Sequence, residues 1–459
     1  MSLSHSFLEQ ESIGRLLWKF SLPAVVGMVV NALYNVVDRI YIGHIERVGH
    51  LAITGVGVIF PIVLFSFAFA LLVGLGSSAN ISLHLGKKEK DRAEQFLGNS
   101  FVLGSIFSLS FTILLFFIMK ECIYLVGGSD VSYPYAKQYL EIVAIGFLPM
   151  TLSYILNAAI RSDGNPKMAM FTLLIGTFVN IILDPIFIFI LDMGVRGAAL
   201  ATIISQTVSF LWTIYYFTSS KSVMKLKKKY IRFHFELSKK VIALGSSSFG
   251  VQVGVSIINY IMNVILREYG GDLSIGAMAI IQSVMSLLLM PIFGINQGVQ
   301  PILGYNYGAK KYDRVKEALF KGIGAATFIC VLGFLSIELF SQYWIILFTK
   351  ETSLLELAEY GLRRQVIVFP IVGFQIVSSI YFQAVGKPKL SFFISMSRQI
   401  LVLIPCLFLL SSIWGLDGVW YASPLSDFIA TIVTFILIKR ELKHLEYLKL
   451  EKEREEIVE

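Results

Sequence analysis

Long apolar stretches alternate with short polar segments along the whole chain. Twelve stretches of about 20 or more apolar residues can be recognised, the length that a helix needs to cross a hydrocarbon core of roughly 30 Å. They lie near residues 15–42, 52–84, 96–119, 138–159, 168–191, 195–218, 240–266, 275–304, 319–346, 361–384, 390–412 and 418–438. In lipid every backbone amide must find its partner within its own segment. The pattern therefore predicts an all-α polytopic membrane protein with twelve transmembrane helices.

A repeat at a fixed spacing divides this pattern into two halves. Two groups of residues recur 222 positions later: Gly86, Lys88, Asp91 and Arg92 as Gly308, Lys310, Asp313 and Arg314, and Gly164, Pro166 and Lys167 as Gly386, Pro388 and Lys389. A third pair, Gly194 and Gly197, recurs after 221 positions as Gly415 and Gly418. Internal repeats in hydrophobic chains are typical of transporters with a substrate path between the halves.

The longest polar interruption, a basic segment between the sixth and seventh stretches, marks the boundary between the halves. We expect an N-terminal six-helix lobe over residues 1–218, a basic cytoplasmic linker over 219–239 and a C-terminal six-helix lobe over 240–438. Residues 439–459 alternate in charge, which is typical of a solvated helical tail.

Composition and charge exclude other classes of protein. With 459 residues, 56% of them hydrophobic and only 15% charged, the chain does not have the surface of a soluble globular protein. The net charge of +8 indicates topology rather than nucleic-acid binding, because 29 of the 39 Lys and Arg residues lie in the N-terminus, even-numbered loops and tail. The positive-inside rule then predicts a protein of the plasma (inner) membrane with both termini cytoplasmic. The six His and three Cys residues form no metal-ligand or nucleophile pattern, so no enzyme is predicted. No obligate protein partner is predicted either.

Polar residues within the first-half spans form a candidate ion site. Asn31, Tyr34, Asn35 and Asp38 share one face of span one, Asn180 and Asp184 share one face of span five, and span six contributes Thr202. At about 1.5 Å per residue, Asp38 lies roughly 8 Å below the outer edge, and Asp184 and Thr202 roughly 12 Å below it. Two carboxylates, an amide and a hydroxyl at similar depth fit either an all-oxygen cation site, such as one for Na⁺, or a proton-sharing pair. The alternative is that the two acids reach the interface and bond to loops there.

The second half lacks these groups. At the repeat spacing Asp38, Asn180 and Asp184 become Tyr260, Val402 and Cys406. It offers mostly uncharged polar residues, which would either line a substrate cavity or form interhelical hydrogen bonds: Gln252, Asn259, Gln297, Gln300, Gln383 and the cationic Arg398. Asp427 has no visible partner in the sequence. Pro23, inside span one, removes a backbone hydrogen bond and permits either a gating bend or a static kink.

Several of these segments resemble the multidrug and toxic compound extrusion (MATE) transporters. They are Leu22-Pro23, the stripe from Asn31 to Asp38, Tyr41-Ile42-Gly43, Phe60-Pro61, Gly298-Val299-Gln300-Pro301 and Tyr305-Asn306-Tyr307-Gly308. The resemblance implies a V-shaped, alternating-access exporter that exchanges H⁺ or Na⁺ for cationic amphipathic drugs, with no other cofactor. In the branch with a first-lobe cation site, the matching positions are Asp38, Asn180, Asp184 and Thr202. A second branch uses carboxylates in spans seven and ten, but this chain has Gln252 at the first position and no acid within 361–384.

Two other functions remain open at this level. A flippase for lipid-linked saccharides, from the same superfamily, more often has extra spans and cationic residues along its cavity, for which Arg398 is the sole candidate. A passive channel or receptor would show no response of transport to an ion gradient.

Overall fold

The computed structural model describes residues 6–43, 49–349 and 351–458, and within these ranges it describes no side chains at residues 6, 31–40, 42–43, 49–54, 272 and 456–458. Every regular element of the described residues is helical. The twelve main helices are α1 (Ile13–Gly43), α2 (Gly49–Gly86), α3 (Lys90–Leu125), α4 (Tyr133–Ser162), α5 (Pro166–Pro185), α6 (Gly194–Thr218), α7 (Phe235–Gly271), α8 (Leu273–Gly308), α9 (Tyr312–Ile346), α10 (Thr352–Gln365 with Phe369–Ala384), α11 (Pro388–Trp414) and α12 (Leu416–Val458).

The prediction of an all-α membrane protein is confirmed. Eleven of the described helices are individually long and apolar enough to cross a membrane, and the two parts of α10, bent by 57°, supply a twelfth span. Helices α7 and α8 are separated at Gly271, whose φ of 65° and ψ of −165° suit a residue without a Cβ. Within α10, Pro370 begins the second part, where its missing N–H costs nothing.

The sequence repeat is also a repeat of backbone conformation. Matching residues adopt positive φ angles of similar size: 63° at Lys88 and 54° at Lys310, 87° at Gly164 and 81° at Gly386, and 52° at Gly194 and 57° at Gly415. Hydrogen bonds recur too, because the amide of Glu89 donates to His84 O and the amide of Lys311 donates to Asn306 O, both at 2.9 Å. The two halves therefore turn from helix to helix in the same way.

Contacts between Cα atoms divide the chain into two units. Unit 1 holds Val26–Phe249 with the residues up to Gln10, and unit 2 holds Glu11–Val25 and Gly250–Glu459. The division differs from one drawn along the sequence, because the first part of α1 belongs to unit 2 and the first part of α7 belongs to unit 1.

Glycines permit the close packing of the first part of α1 in unit 2 and of the first part of α7 in unit 1. In unit 1, a Cβ added at Gly245 of α7 would collide with the backbone of Leu72. In unit 2, a Cβ at Gly298 of α8 would lie 2.7 Å from the backbone nitrogen of Ser21. Small residues let helices approach to backbone contact, which strengthens dispersion and hydrogen bonding in a membrane.

A buried carboxylate attaches the segment after α6 to unit 1. Asp163, at the end of α4, accepts hydrogen bonds from the Tyr216 hydroxyl at 2.7 Å and the Ser222 hydroxyl at 2.9 Å. It also accepts from the backbone amides of Val223 and Met224, both at 2.9 Å. Four donors around one carboxylate hold the start of the linker in a single conformation.

Candidate cation-binding site

Asn180 and Asp184 lie one turn apart on the buried face of α5. The Asn180 amide nitrogen donates to Asp184 Oδ1 at 3.4 Å. The residues are 1% and 0% exposed, respectively. The two side chains therefore place an amide and a carboxylate together in the interior of unit 1.

The helix changes its hydrogen-bonding pattern directly after Asp184. Pro185 has no N–H to donate, and a π-helical segment, Ile186–Ile190, follows it. Such segments occur frequently at functional sites, because the wider turn shifts side chains relative to the α-helix that precedes it.

Thr202 of α6 lies at the same level as Asp184. The two helices run antiparallel in close contact: a Cβ at Gly197 would lie 2.6 Å from Phe187 O, and a Cβ at Gly176 would collide with Ser209 Oγ. Asp184 comes eight residues after Gly176 and Thr202 seven residues before Ser209, an offset of about 1.5 Å along the axis.

The orientation of the Thr202 hydroxyl suits a cation ligand. Its Oγ1 donates to Ala198 O at 3.0 Å. Because the proton points at that carbonyl, the lone pairs of the oxygen point to other groups.

Helix α1 brings Asp38 to this level. A Cβ at Gly27 would lie 2.7 Å from Leu173 Cδ1 of α5, and the ring centroids of Tyr41 and Phe189 are 6.3 Å apart. The two helices therefore run side by side in the same direction. Asp38 follows Gly27 by eleven residues, as Asp184 follows Leu173. Because both aspartates follow the Gly27–Leu173 contact by the same number of residues, their backbones lie at the same level, about 16 Å along the helix axes from that contact.

For the polar residues on one face of α1, the structure describes only the backbone. Asn31, Tyr34, Asn35 and Asp38 lie within the helix Ile13–Gly43, and their side chains lie outside the described part of the structure. The helix continues through Pro23 and passes from unit 2 to unit 1 between Val25 and Val26. A proline near such a boundary removes one backbone hydrogen bond without ending the helix.

The polar residues of unit 2 are spread over several helices. Gln252 and Gln297 are half-buried on α7 and α8, whereas Gln300 and Gln383 are 2% and 1% exposed. Gln282 of α8 donates to Asn259 Oδ1 of α7 at 3.0 Å. For Asn259 the structure thus shows an interhelical hydrogen bond.

An ion pair joins two helices inside unit 2. Arg398 Nε donates to Asp427 Oδ1 at 2.6 Å, which joins α11 to α12. The side chains are 24% and 16% exposed. Arg398 lies in a π-helical segment, Ser397–Val402, and its carbonyl accepts from Ser426 Oγ at 2.8 Å. Sequence reasoning missed this pair because its members lie on different spans at no characteristic spacing.

The MatE family model matches the chain over residues 23–186 and 248–409, which include α5 and the greater part of both halves. The chain belongs to the MATE family. Members of the family are transporters and not enzymes, so this chain is a multi-pass membrane transporter.

Curated relatives of this MATE protein include two staphylococcal transporters. The multidrug export protein MepA of Staphylococcus aureus strain MRSA252 is 24% identical over 437 residues, which cover 94% of this chain and 95% of that protein. The protein of the same name from Staphylococcus haemolyticus is 24% identical over 432 residues, which cover 94% of each.

Solved MATE structures show the same fold. An outward-facing multidrug resistance MATE transporter of the MOP superfamily gives a TM-score of 0.89 at 24% identity and covers 96% of this chain and 98% of that one. A MOP superfamily transporter from Pyrococcus furiosus, described as having a binding pocket of reverse polarity, gives 0.87 at 24% identity with the same coverage.

Proposed function

We propose that this MATE protein is a secondary active multidrug exporter that couples the efflux of cationic, amphipathic compounds to H⁺ or Na⁺ entry. The observation that carries the proposal is the buried Asn180–Asp184 pair, level with Thr202 on one neighbouring helix and with Asp38 on another. Two staphylococcal relatives named as multidrug export proteins support the substrate class.

The chemistry of the site follows from its carboxylates. Two acids at one level in a medium of low dielectric constant cannot both ionise cheaply, so they share a proton or hold a cation between them. Asp38, Asn180, Asp184 and Thr202 would supply oxygen ligands only, the type that hard cations such as Na⁺ prefer. H⁺ and Na⁺ would then compete for one position.

Coupling requires that the bound ion favours one of two conformations of the transporter. A ligand shifts such an equilibrium only by its difference in affinity for the two states. In our proposal the two six-helix lobes alternate access to the substrate, and α1 bends at Pro23 when its Asp38 face gains or loses the ion. Solved MATE structures have been described in a bent conformation and in a straight conformation, which supports a two-state mechanism for the fold.

The ion pair of Arg398 with Asp427 argues against the flippase alternative. Flippases for lipid-linked saccharides more often have cationic residues along the cavity. Arg398, the sole candidate, already has a carboxylate partner at 2.6 Å.

The experiment is transport in proteoliposomes with H⁺ and Na⁺ gradients imposed separately. We expect wild-type protein to export ethidium against its gradient, Asp184→Asn to abolish this export, and Asp38→Asn to reduce it strongly. Asp192→Asn is the matched control, because Asp192 is an exposed acid in the turn after the same helix. Wild-type export by both site variants would refute the site, and export that ignores both gradients would favour a passive channel.

A titration separates the two ions. If Na⁺ binds, raising its concentration at fixed pH should displace the proton shared by Asp38 and Asp184, and Asp184→Asn should erase this displacement. Infrared detection of the carboxyl groups provides the readout. Proton release that does not depend on Na⁺ would favour proton coupling, and the absence of a carboxyl group that exchanges a proton in either condition would contradict the pair.

A further inference from the structure

The internal repeat extends beyond the spans into the linker and the tail. Lys227 Nζ contacts Asp91 Oδ1 at 3.5 Å, and Lys449 Nζ contacts Asp313 Oδ2 at 2.9 Å. Each lysine follows its aspartate by 136 residues, and both aspartates belong to the repeated loop motif. The segments after α6 and within α12 are therefore counterparts, attached to matching loops of their own units.

The two segments differ in charge beyond this shared contact. Residues 228–240 of the linker contain five Lys or Arg residues and one acid, whereas residues 450–459 of the tail contain two Lys or Arg residues and five acids. A common attachment thus carries a basic segment in unit 1 and an acidic one in unit 2. The acidic tail therefore serves as an internal control for binding that depends on the basic charge of the linker.

The linker is fixed to unit 1 by buried groups. Glu94, which is 0% exposed, accepts from the Lys225 amide at 3.0 Å and pairs with Lys227 Nζ at 2.5 Å. That carboxylate raises the pKa of Lys227 above its usual range, so the lysine stays charged. Asn99 Oδ1 accepts from the His234 amide at 2.7 Å. The side chains between these points are therefore presented from a fixed backbone.

These side chains form an exposed surface of cations and aromatic rings. We define the linker patch as Lys228, Lys229, Arg232, Phe233, Phe235 and Lys239, all of which are exposed or partly exposed. Phe233 and Phe235 are 51% and 67% exposed.

The patch lies where the chain enters the membrane. Helix α7 begins at Phe235 and its apolar stretch begins after Lys240, so the two rings lie shortly before the residues that cross the bilayer. Aromatic residues at span ends sit at the level of the headgroups, and cations close to an anionic leaflet are attracted to it by about 1 kcal/mol each.

We propose that the linker patch binds the headgroups of anionic phospholipids. The cations would contact the phosphates while Phe233 and Phe235 enter the interfacial region beside α7. Charge complementarity selects this occupant: residues 228–240 carry five cations and one acid, Glu236, in contrast to the acidic counterpart in the tail. The inference depends on neither the transport mechanism nor the orientation of the protein.

The test is lipid selectivity measured on the full-length protein. Native mass spectrometry counts phosphatidylglycerol and phosphatidylcholine molecules retained from mixed micelles, and nanodiscs of the two lipids provide a second format. We expect wild-type protein to retain phosphatidylglycerol preferentially, and the triple variant Lys228→Gln, Lys229→Gln and Arg232→Gln to lose that preference by roughly tenfold or more. The control, Lys443→Gln, Lys452→Gln and Arg454→Gln, removes the same charge from the tail and should retain the preference.

Three outcomes would overturn the proposal. The first is an equal preference in wild-type protein and the patch variant. The second is an equal loss in the tail variant, which would mean that net charge alone attracts the lipid. The third uses a Phe233→Trp variant in nanodiscs whose lipids carry brominated acyl chains. If bromine does not quench the fluorescence of the added tryptophan, the ring lies away from the bilayer.

Discussion

The ion pair between Arg398 and Asp427 allows a quantitative test of how charges are held inside unit 2. Arg398→Met leaves the Asp427 carboxylate without its partner, and Asp427→Leu leaves the Arg398 guanidinium without its partner. Removing one member of a buried pair costs about 3–5 kcal/mol, and placing a lone Arg or Asp at the centre of a spanning helix costs about 2.5–3.5 kcal/mol. Because the side chains are 24% and 16% exposed, partial hydration reduces the loss. We expect about 2–3 kcal/mol for each single variant.

The double variant distinguishes a pair from two independent charges. Apolar residues of similar volume remove both desolvation penalties together, so the protein that carries Arg398→Met and Asp427→Leu at once should lie within about 1 kcal/mol of wild type. The coupling energy would then be about 3–5 kcal/mol. Ser426→Ala, which removes only the 2.8 Å bond to the Arg398 carbonyl, should cost about 1 kcal/mol and serves as control.

The assay is thermal unfolding in detergent, followed by tryptophan fluorescence and by the fraction that remains monodisperse. Unfolding midpoints of wild type, the two single variants and the double variant give the double-mutant cycle directly. Losses that simply add in the double variant would refute the reasoning, because they would mean that the two charges do not compensate each other.

Three further outcomes are expected. Asp163→Ala removes the acceptor of four hydrogen bonds and should destabilise the protein by about 3 kcal/mol, with faster proteolysis after α6, whereas Tyr216→Phe removes one bond and should cost about 1 kcal/mol. Gly245→Val should sharply reduce folded protein because its side chain meets the Leu72 backbone, and Gly324→Val, with open space at its Cβ, should be tolerated. A cysteine at exposed Lys221, in a background without other cysteines, should resist an impermeant thiol reagent outside cells and react in inverted vesicles; labelling from outside would reverse the topology.

The labelling position illustrates what structure adds to sequence. Ser222 is a natural choice from sequence, since it begins a basic loop, but it is 4% exposed and donates to Asp163. A cysteine there would resist the reagent on either side of the membrane. Lys221 is exposed and avoids this ambiguity.

The twelve spans were predictable because their signals are local. Apolar length identifies a span, and the glycines and prolines between spans mark the turns. One helix end was less accessible, because α7 begins at Phe235 rather than near 240, whereas α12 continues to Val458 through the charged segment that the sequence predicts to be helical. Hydropathy reports where a helix leaves lipid, whereas Glu- and Lys-rich sequence remains helical in water.

The candidate site was predictable in part for the same reason. A spacing of four residues puts Asn180 and Asp184 on one face, and the structure shows them in contact. The Arg398–Asp427 and Glu94–Lys227 pairs join distant elements, so they depend on the rotation of each helix about its axis, which sequence does not reveal. The role of Asp38 with Asp184 stays a prediction.

Unit 2 cannot complete its packing from a continuous run of newly made chain, because it combines Glu11–Val25 with Gly250–Glu459. The segment Glu11–Val25 leaves the ribosome before the rest of unit 2, yet Ser21 donates to the carbonyl of Ile295, 274 residues later. At roughly 5–20 residues per second, this segment waits on the order of 15–60 s for its native neighbours. Lipid and the insertion machinery must hold it meanwhile. Substitutions within it are therefore expected to reduce the yield of the whole protein more than they affect molecules that have finished folding.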